Sequence, residues 1–338
     1  MRALRLHGAG DLRLADEPAP VPGPGEALVR VTAVGICGSD LHWYDESGIG
    51  GVALTRPLVL GHEAAGVIAN GPRTGQRVAI DPSVPCGACE TCALGRGHLC
   101  PAVRFLGYST TDGALRELIA WPLASLVPLP DTIDDAAGAM LEPLGVAIHA
   151  LRLARVRPGD TVGVFGCGPI GLLLIQLARA AGATTVVATD RLAHRVAAAG
   201  DLGAVAALVE GGAERETLLR ATGGRGVDAA IEIAGDDDAI DTAIALARPA
   251  ATVVVAGIPV GDQSTITASA ARRKGLDLRF SRRMVHTYPR AIALVEAGLV
   301  DVDAVVSHRF ALADFDAAFR TAARRDGHKV LVTPVGRG

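Results

Sequence analysis

The sequence predicts an α/β protein in which a doubly wound parallel sheet forms one domain and a mostly β domain forms the other. Short, fully apolar segments alternate with segments of helical periodicity between about residues 161 and 281, which is the pattern of βαβ units. The first 60 residues are instead rich in Gly and Pro and carry short alternating segments, which is typical of irregular β structure.

Length and composition agree with two folded domains. The chain has 338 residues, and at roughly 150 residues per domain this length favours two. Hydrophobic residues make up 49% and charged residues 20%, which is enough apolar material for a large core and too much for a disordered chain.

Charge and hydropathy argue against nucleic-acid and membrane partners. The net charge is 33 − 36 = −3, so no general basic field would attract nucleic acid or an anionic membrane. The longest apolar run, residues 162–175, is shorter than the roughly 18 residues of a membrane span, and the start of the chain has no signal-peptide core. We therefore expect a cytoplasmic protein.

The β domain comes first in the chain. Residues 12–37 predict two strands around a turn-rich stretch, and alternation continues in 62–69 and 76–82. The pattern changes near residue 145, and the tail from about residue 285 returns to mixed structure. We expect one domain made of residues 1–144 and 284–338, with the doubly wound domain at 145–283.

Strands and helices alternate through the doubly wound domain. Because its strands are almost wholly apolar, both faces of the sheet should be covered by helices. Six strands of this kind suit a dinucleotide-binding domain. The strands are expected at 161–166, 184–190, 205–209, 227–235, 251–258 and 276–281, and the helices at 169–182, 191–200, 214–223 and 236–247.

Four of the six cysteines lie within fifteen residues, as Cys86, Cys89, Cys92 and Cys100. Closely spaced thiolates on a tight loop can complete a tetrahedral zinc shell with no open position, which makes such a site structural. The alternative is an iron–sulfur cluster, but the bacterial cluster motif has three residues before its last cysteine, whereas this loop has seven. Zinc is therefore the favoured metal for these four cysteines.

Gly166, Gly168 and Gly171 form a G-x-G-x-x-G motif between an apolar strand and a long helix. In this setting the first glycine permits the turn, the second lets a pyrophosphate approach the backbone, and the third lets helix and strand pack. The N-terminus of the helix then supplies free N–H groups to the phosphates.

Asp190 ends the next predicted strand, 19 residues after Gly171, where a ribose-binding acid is expected. Its carboxylate would repel the 2′-phosphate of NADP by roughly 4 kcal/mol per charge pair, so NAD is favoured over NADP. Arg191 and Arg195 work against this selectivity, since an arginine can accommodate a phosphate. Asp190 could equally cap the following helix.

A second metal site is indicated by Cys37 and His62, a thiolate and an imidazole. A catalytic zinc needs three protein ligands and one open position, and either Glu63 or Glu142 could supply the third ligand.

The motifs resemble those of the zinc-dependent medium-chain dehydrogenase/reductase family. ICGSDLH (36–42), LGHEAAG (60–66), the four-cysteine loop, LEPLGVAIHA (141–150) and the glycine motif occur in the family's order over nearly the whole chain. Glu142 makes the chain look most like the polyol branch, the sorbitol and xylitol dehydrogenases. The resemblance implies a Rossmann domain for the doubly wound sheet. It also implies a GroES-like fold for the domain of residues 1–144 and 284–338, which would be the catalytic domain.

The resemblance also implies roles for individual residues. Cys37 and His62 would bind catalytic zinc, Glu63 would be a ligand or alternate with water, and Glu142 would ligate zinc or hold the zinc-bound water or substrate hydroxyl. The other implied roles are the orientation of His62 by Asp40, proton transfer by Ser39 and His42, substrate contact by Trp43, Glu142 and Arg283, and cofactor contact by Gly166, Gly168, Pro169, Ile170, Gly171, Asp190, Arg195 and Ile258.

The function implied is oxidation of a polyol's secondary hydroxyl to a ketose, with hydride transfer to NAD, one catalytic and one structural zinc per subunit, and a homotetramer or homodimer. The same chemistry on a cyclitol, a threonine-type amino alcohol or a simple diol is the alternative, and Trp43, Arg283 and Met284 would separate these substrates. A nucleotide-binding protein without catalysis would have a damaged zinc triad, whereas here each position is intact. A zinc-finger module for nucleic acid conflicts with the net charge of −3.

Overall fold

The structure, a computed structural model, describes residues 1–335 and divides the chain into two compact units. Unit 1 contains Met1–Pro143, Tyr288–Glu296 and the residues from Val302 onward. Unit 2 contains Leu144–Thr287 and Ala297–Asp301. The chain therefore builds most of unit 1, then unit 2, and returns to unit 1.

Both units contain strands and helices, numbered in chain order. The strands are β1 (Arg2–Gly8), β2 (Asp11–Asp16), β3 (Glu26–Gly35), β4 (Gly48–Ile49), β5 (Val52–Ala53), β6 (Leu58–Val59), β7 (Glu63–Asn70), β8 (Arg77–Ile80), β9 (Ser83–Val84), β10 (Arg104–Phe105), β11 (Leu118–Pro122), β12 (Leu126–Pro128), β13 (Thr161–Phe165), β14 (Thr185–Asp190), β15 (Val205–Leu208), β16 (Val227–Glu232), β17 (Ala247–Val255), β18 (Asp277–Phe280), β19 (Val306–Ala311) and β20 (Lys329–Thr333). The α-helices are α1 (Gly38–Glu46), α2 (Glu90–Ala93), α3 (Asp135–Ala154), α4 (Pro169–Ala180), α5 (Ala193–Asp201), α6 (Ala213–Ala221), α7 (Asp237–Leu246), α8 (Ala268–Lys274), α9 (Tyr288–Glu296) and α10 (Phe315–Arg324).

Unit 2 is built on a six-stranded parallel sheet in the order β15-β14-β13-β16-β17-β18. The order reverses direction between β13 and β16, as in doubly wound sheets, where ligands bind outside the carboxyl ends of the strands at this point. The four central strands, β14, β13, β16 and β17, are largely buried because helices cover the sheet, and residues such as Phe165, Val187 and Val253 have no exposed surface. The predicted fold class is confirmed.

Unit 1 is built on a mostly antiparallel sheet in the order β12-β8-β7-β3-β20-β19, with β11 also paired to β3. Its core includes the large side chains of Trp43, Trp121 and Phe319, each at most 2% exposed. β20 lies next to β3, with Leu331 opposite Gly35. β20, near the end of the described chain, therefore completes a sheet whose first strand in chain order is β3.

The structure differs from the sequence prediction at the end of α7. A helix is expected through residue 247, but α7 ends at Leu246 and β17 begins at once with Ala247, which pairs with Val227. Lys274 makes this abrupt ending possible, since its Nζ donates to the carbonyl oxygens of Ile244, Ala245 and Ala247. The prediction also placed the start of β17 at residue 251, four residues too late, and it missed both α8, the helix that carries Lys274, and α3, the longest helix of the described chain.

Within residues 1–335, no helix combines the length and the apolar character that a membrane crossing requires.

Candidate zinc and cofactor sites

The four cysteines of the loop converge on one point. Their sulfur atoms all lie within 4.8 Å of one another, with 3.4 Å between Cys89 and Cys92 and 3.7 Å between Cys89 and Cys100. All four are free thiols. Because Zn–S bonds of about 2.3 Å in a tetrahedron separate the sulfurs by about 3.8 Å, the arrangement fits a zinc ion.

The protonation of the loop also fits a cation. The Thr91 hydroxyl and the Cys92 backbone N–H lower the pKa of Cys89 to about 6. Burial and the hydrogen bond with Cys89 raise the pKa of Cys92 to about 12. Four thiolates this close repel one another, so a thiol proton is kept between neighbours until a cation takes its place.

The second group consists of Cys37, His62 and Glu63, whose ligand atoms lie within 4.8 Å of one another. Sheet register explains the meeting: Gly35 at the end of β3 is opposite Glu63 at the start of β7. Cys37 follows β3 as the N-cap of α1, and His62 precedes β7. His62 and Glu63 are buried, so two strand ends bring three ligand types to one enclosed point.

Asp40 ties the group together. Its carboxylate accepts from the backbone N–H of Cys37 (2.9 Å) and of Gly61 (3.1 Å), and lies 3.5 Å from His62 Nδ1. Burial opposes ionisation, but His62 and the two backbone N–H groups hold the pKa of Asp40 below its usual value. Burial likewise opposes charge on His62, and Asp40 and Cys37 raise its pKa well above the usual value. The carboxylate therefore fixes the orientation of the imidazole.

Lys329, which the sequence does not single out as a site residue, binds Glu63. Lys329 Nζ lies 2.7 and 2.6 Å from the two Glu63 carboxylate oxygens and donates to the Ile36 carbonyl at 3.0 Å. Both side chains are buried, at 3% and 1% exposure. Burial opposes charge on the amine, but Glu63 and Cys37 raise the pKa of Lys329. The only signal in the sequence is rarity, because Lys329 is one of just two lysines among 33 basic residues.

Glu142 lies in α3 and is 5% exposed. It is not part of the compact three-residue group found in residues 1–335. Burial raises its pKa to about 8, with His62 and Lys329 opposing the shift and Glu63 adding to it. Glu142 therefore shares the electrostatic surroundings of the group and is held as a neutral acid near neutral pH when no cation is bound.

Three further predicted residues lie on α1. Ser39 and His42 are partly exposed, and His42 Nδ1 is 2.8 Å from the carboxylate of Glu46 one turn later. Trp43 is 2% exposed and packs edge-on against Tyr108 in the core of unit 1. The helix thus has a polar side that leads from Ser39 to a carboxylate in solvent.

The glycine motif lies between β13 and α4, as the sequence predicts for this strand and helix. Gly166 has φ +107°, a conformation that L side chains rarely adopt. A Cβ atom on Gly171 would overlap the Gly166 carbonyl oxygen, so the helix can approach the loop only with glycine there. Gly168 is the N-cap and Pro169 the first residue of α4. The loop and the free N–H groups beyond it suit a pyrophosphate.

Asp190 is fixed at the carboxyl end of β14. Its two oxygens accept from the backbone N–H groups of Cys167 (2.8 Å) and Leu192 (2.9 Å). The Arg195 guanidinium lies near Gly168, with Nη1 3.5 Å from where a Cβ on that glycine would be. Of the other predicted cofactor residues, Ile170 is partly buried and Ile258 is 44% exposed.

Arg283 and Met284 belong to unit 2. Arg283 adopts φ +56° and is partly exposed. Met284 is buried, and its sulfur accepts from the Thr287 hydroxyl at 3.1 Å. Met284 and Thr287 fill the space beside Gly145, where any larger residue would overlap them.

Comparison with known proteins gives concordant matches. Residues 23–131 match the alcohol dehydrogenase GroES-like domain and residues 169–297 match the zinc-binding dehydrogenase family. The chain is 34% identical to a sorbitol dehydrogenase of Bacillus subtilis (strain 168), over 99% of this chain and 97% of the relative.

Two solved structures are also similar. An alcohol dehydrogenase of E. coli CFT073 complexed with NADH has a TM-score of 0.90 and 29% identity, covering 98% of this chain and 99% of that one. A protein described as a zinc-binding dehydrogenase, from Sinorhizobium meliloti 1021 and bound to NADP, has a TM-score of 0.89 and 33% identity, covering 98% and 99%.

Proposed function

The chain belongs to the polyol branch of the zinc-dependent medium-chain dehydrogenase/reductase family, and we propose that it reversibly oxidises a secondary hydroxyl of a polyol or sugar alcohol to a ketose, with NAD⁺ as hydride acceptor. The observation that carries the proposal is the group of Cys37, His62 and Glu63, in which Cys37 is partly buried and the other two are buried. The relative named sorbitol dehydrogenase supports the substrate class, and NADH in a structural neighbour supports the cofactor.

Cys37 and His62 would hold the catalytic zinc together with a carboxylate from Glu63 or Glu142, and the four-cysteine loop would hold the structural zinc. The bound groups supply a Lewis acid that makes an alcohol easier to deprotonate, and a nicotinamide that accepts the hydride. Replacing a second thiolate by a carboxylate makes the donor set harder, which suits a substrate that brings several hydroxyl groups.

The residues around the group orient its ligands and carry the proton away. Asp40 holds the His62 ring, and Lys329 holds Glu63. Ser39 and His42 would pass the alcohol proton toward solvent, and the contact of His42 with the exposed Glu46 carboxylate supports this direction.

Asp190 would accept hydrogen bonds from the ribose hydroxyls of NAD, and Gly166, Gly168 and Gly171 would let the pyrophosphate approach the N-terminus of α4. NADP is the less favoured cofactor, because its 2′-phosphate would face the Asp190 carboxylate. Trp43 and Arg283 would contact the substrate, together with Glu142.

A substrate panel tests the proposal. Zinc-replete protein is mixed with NAD⁺ and, in turn, a linear polyol, a cyclitol, threonine and a simple diol, and NADH formation is followed by absorbance. We expect the highest kcat/KM for a linear polyol. A cyclitol, threonine or diol preferred by more than about tenfold in kcat/KM, or about 1.4 kcal/mol in transition-state binding, would move the assignment to that substrate. Absence of NADH with every compound would overturn it.

We also propose a homotetramer, with a homodimer as the alternative, in the cytoplasm. Light scattering coupled to gel filtration should give a mass near four times the 34.5 kDa of one chain.

A further inference from the structure

Arg191, the residue after Asp190, is bound to two acids at the N-terminal end of α7, which follows β16. Its Nη2 lies 3.1 Å from Asp236 Oδ1 and 3.6 Å from Asp238 Oδ2. Asp236 is the N-cap of α7, where its carboxylate also accepts from the Ala239 backbone N–H at 2.9 Å. Arg191 is therefore engaged by a loop that follows β16, although it is itself next to the end of β14.

The ion pair crosses the carboxyl end of β13. β14 and β16 lie on opposite sides of β13 in the sheet, and β13 leads directly into the glycine loop. A side chain that links the loops after β14 and β16 must span this end of the sheet. The position matters because the strand order reverses between β13 and β16, the place where doubly wound sheets bind their ligands.

Two neighbouring side chains at the end of β14, Asp190 and Arg191, carry opposite charges. The Asp190 carboxylate is fixed by the N–H groups of Cys167 and Leu192, and it repels a phosphate whenever one approaches. Arg191 has the opposite charge and is the neighbour that could offset this repulsion. It does so less well while its Nη2 and part of its charge are paired with Asp236 and Asp238.

We propose that Arg191 is a specificity-determining residue whose guanidinium is kept from the 2′-phosphate of NADP by its ion pairs with Asp236 and Asp238. The inference rests on the proposed function only in requiring that unit 2 binds a nicotinamide dinucleotide. The Arg191 and Asp238 side chains are 56% and 89% exposed. Exposed ion pairs of this kind are weak, so the pairs tune selectivity by a moderate factor, and Asp190 supplies the rest.

The test removes the two partner charges and keeps the helix. In the D236N/D238N variant, the asparagine that replaces Asp236 is as good an N-cap as aspartate, so α7 should be retained. Asp237→Asn is the matched control, because Asp237 lies in the same helical turn and loses the same charge but is not a partner of Arg191 in the ion pairs of the described chain. The Arg191→Gln substitution, alone and combined with D236N/D238N, completes the cycle.

Calorimetry with adenosine 2′,5′-bisphosphate and 5′-AMP gives the readout, since the two fragments differ only in the 2′-phosphate and need neither zinc nor substrate. D236N/D238N should improve the binding of the bisphosphate relative to 5′-AMP by about threefold to tenfold. Asp237→Asn should change this ratio by less than about 1.5-fold per charge removed, and the gain should disappear when Arg191 is replaced by glutamine. The affinity for NADP⁺ relative to NAD⁺ should change in the same direction as the affinity ratio of the fragments.

An equal gain from Asp237→Asn, a gain that persists in the Arg191→Gln background, or no gain at all would each overturn the inference. A wild-type protein that already prefers the bisphosphate would overturn it too. These outcomes are distinct from failure of the proposed function, in which polyols would yield no NADH although the fragments bind. If neither fragment binds wild type or variant, the inference and the proposed cofactor fall together.

Discussion

At the scale of single residues, the group of Cys37, His62 and Glu63 depends on a glycine that offers no ligand atom. Gly35 is opposite Glu63 in the pairing of β3 with β7, and a Cβ atom at that position would overlap the Glu63 carboxylate. The backbone of Gly35 is not in the left-handed region, so the requirement is space and not conformation. The carboxylate can lie beside Cys37 and His62 because this side chain is missing.

We therefore predict that Gly35→Ala displaces Glu63 and lowers kcat/KM by more than about tenfold, with a loss of stability of about 1–3 kcal/mol from overpacking. Gly38→Ala is the matched control, because a Cβ there meets nothing within 4 Å. Steady-state kinetics and thermal unfolding of both variants check this. Unchanged kinetics in Gly35→Ala would mean that the position of Glu63 does not matter to the reaction.

The ion pair of Glu63 with Lys329 could not be predicted from the sequence. Cys37, His62 and Glu63 could be singled out because thiol, imidazole and carboxylate are the ligand types that zinc takes. Lys329 stands 266 residues away from Glu63, and no local pattern distinguishes it. Its role depends on which strand pairs with β3, and that information is carried by tertiary structure.

At the scale of elements, the loop after β16 is anchored by a buried carboxylate. Glu232 has no exposed surface, and Oε1 accepts from the Gly235 backbone N–H at 2.5 Å. Burial raises its pKa to about 7, against the backbone N–H groups of Gly235, Ala234 and Gly257, which oppose the shift. Ala234 in this loop lies directly against Gly166, so the carboxylate supports the backbone beneath the glycine motif.

Glu232 should make stability depend on pH. Its pKa is higher in the folded protein than the usual 4.5, so the folded state binds the proton more tightly, and wild-type stability falls as pH rises from about 4.5 to about 7. Glu232→Gln lacks this titration, and its stability relative to wild type should rise over that range by roughly 1–3 kcal/mol.

Thermal unfolding at several pH values measures this difference. Glu216→Gln is the control, because the Glu216 side chain is 79% exposed and should show no such trend. A difference between Glu232→Gln and wild type that stays constant across pH would contradict the account.

Periodicity alone predicted the strands and helices of unit 2 well, because buried parallel strands are apolar throughout and the covering helices are amphipathic. It missed α3, whose C-terminal part belongs to unit 2, and α8, a short helix whose sequence carries three consecutive basic residues and little apolar pattern. It also extended α7 too far, since the ending at Leu246 depends on Lys274, a tertiary partner.

At the scale of the whole molecule, the group of Cys37, His62 and Glu63 is completed by a segment from the far end of the chain. Unit 1 begins before unit 2 and is completed after it, and the returning strand β20 pairs with β3. Through this pairing Lys329 reaches Glu63 and the Ile36 carbonyl. The sequence pattern already predicts that the chain returns to its first domain, because it changes near residue 145 and mixed structure resumes from about residue 285. The family resemblance agrees with this expectation.

Two groups of metal-ligand residues of different kinds occur in the described chain, and we propose that only the group of Cys37, His62 and Glu63 takes part in the reaction. The most direct measurement is zinc per chain, determined together with polyol-dependent NADH formation before and after chelation. We predict two zinc ions per chain, loss of the reaction on chelation and recovery with added zinc, and one zinc with no activity in Cys37→Ser. Activity untouched by complete removal of zinc, or full activity in Cys37→Ser, would contradict the account.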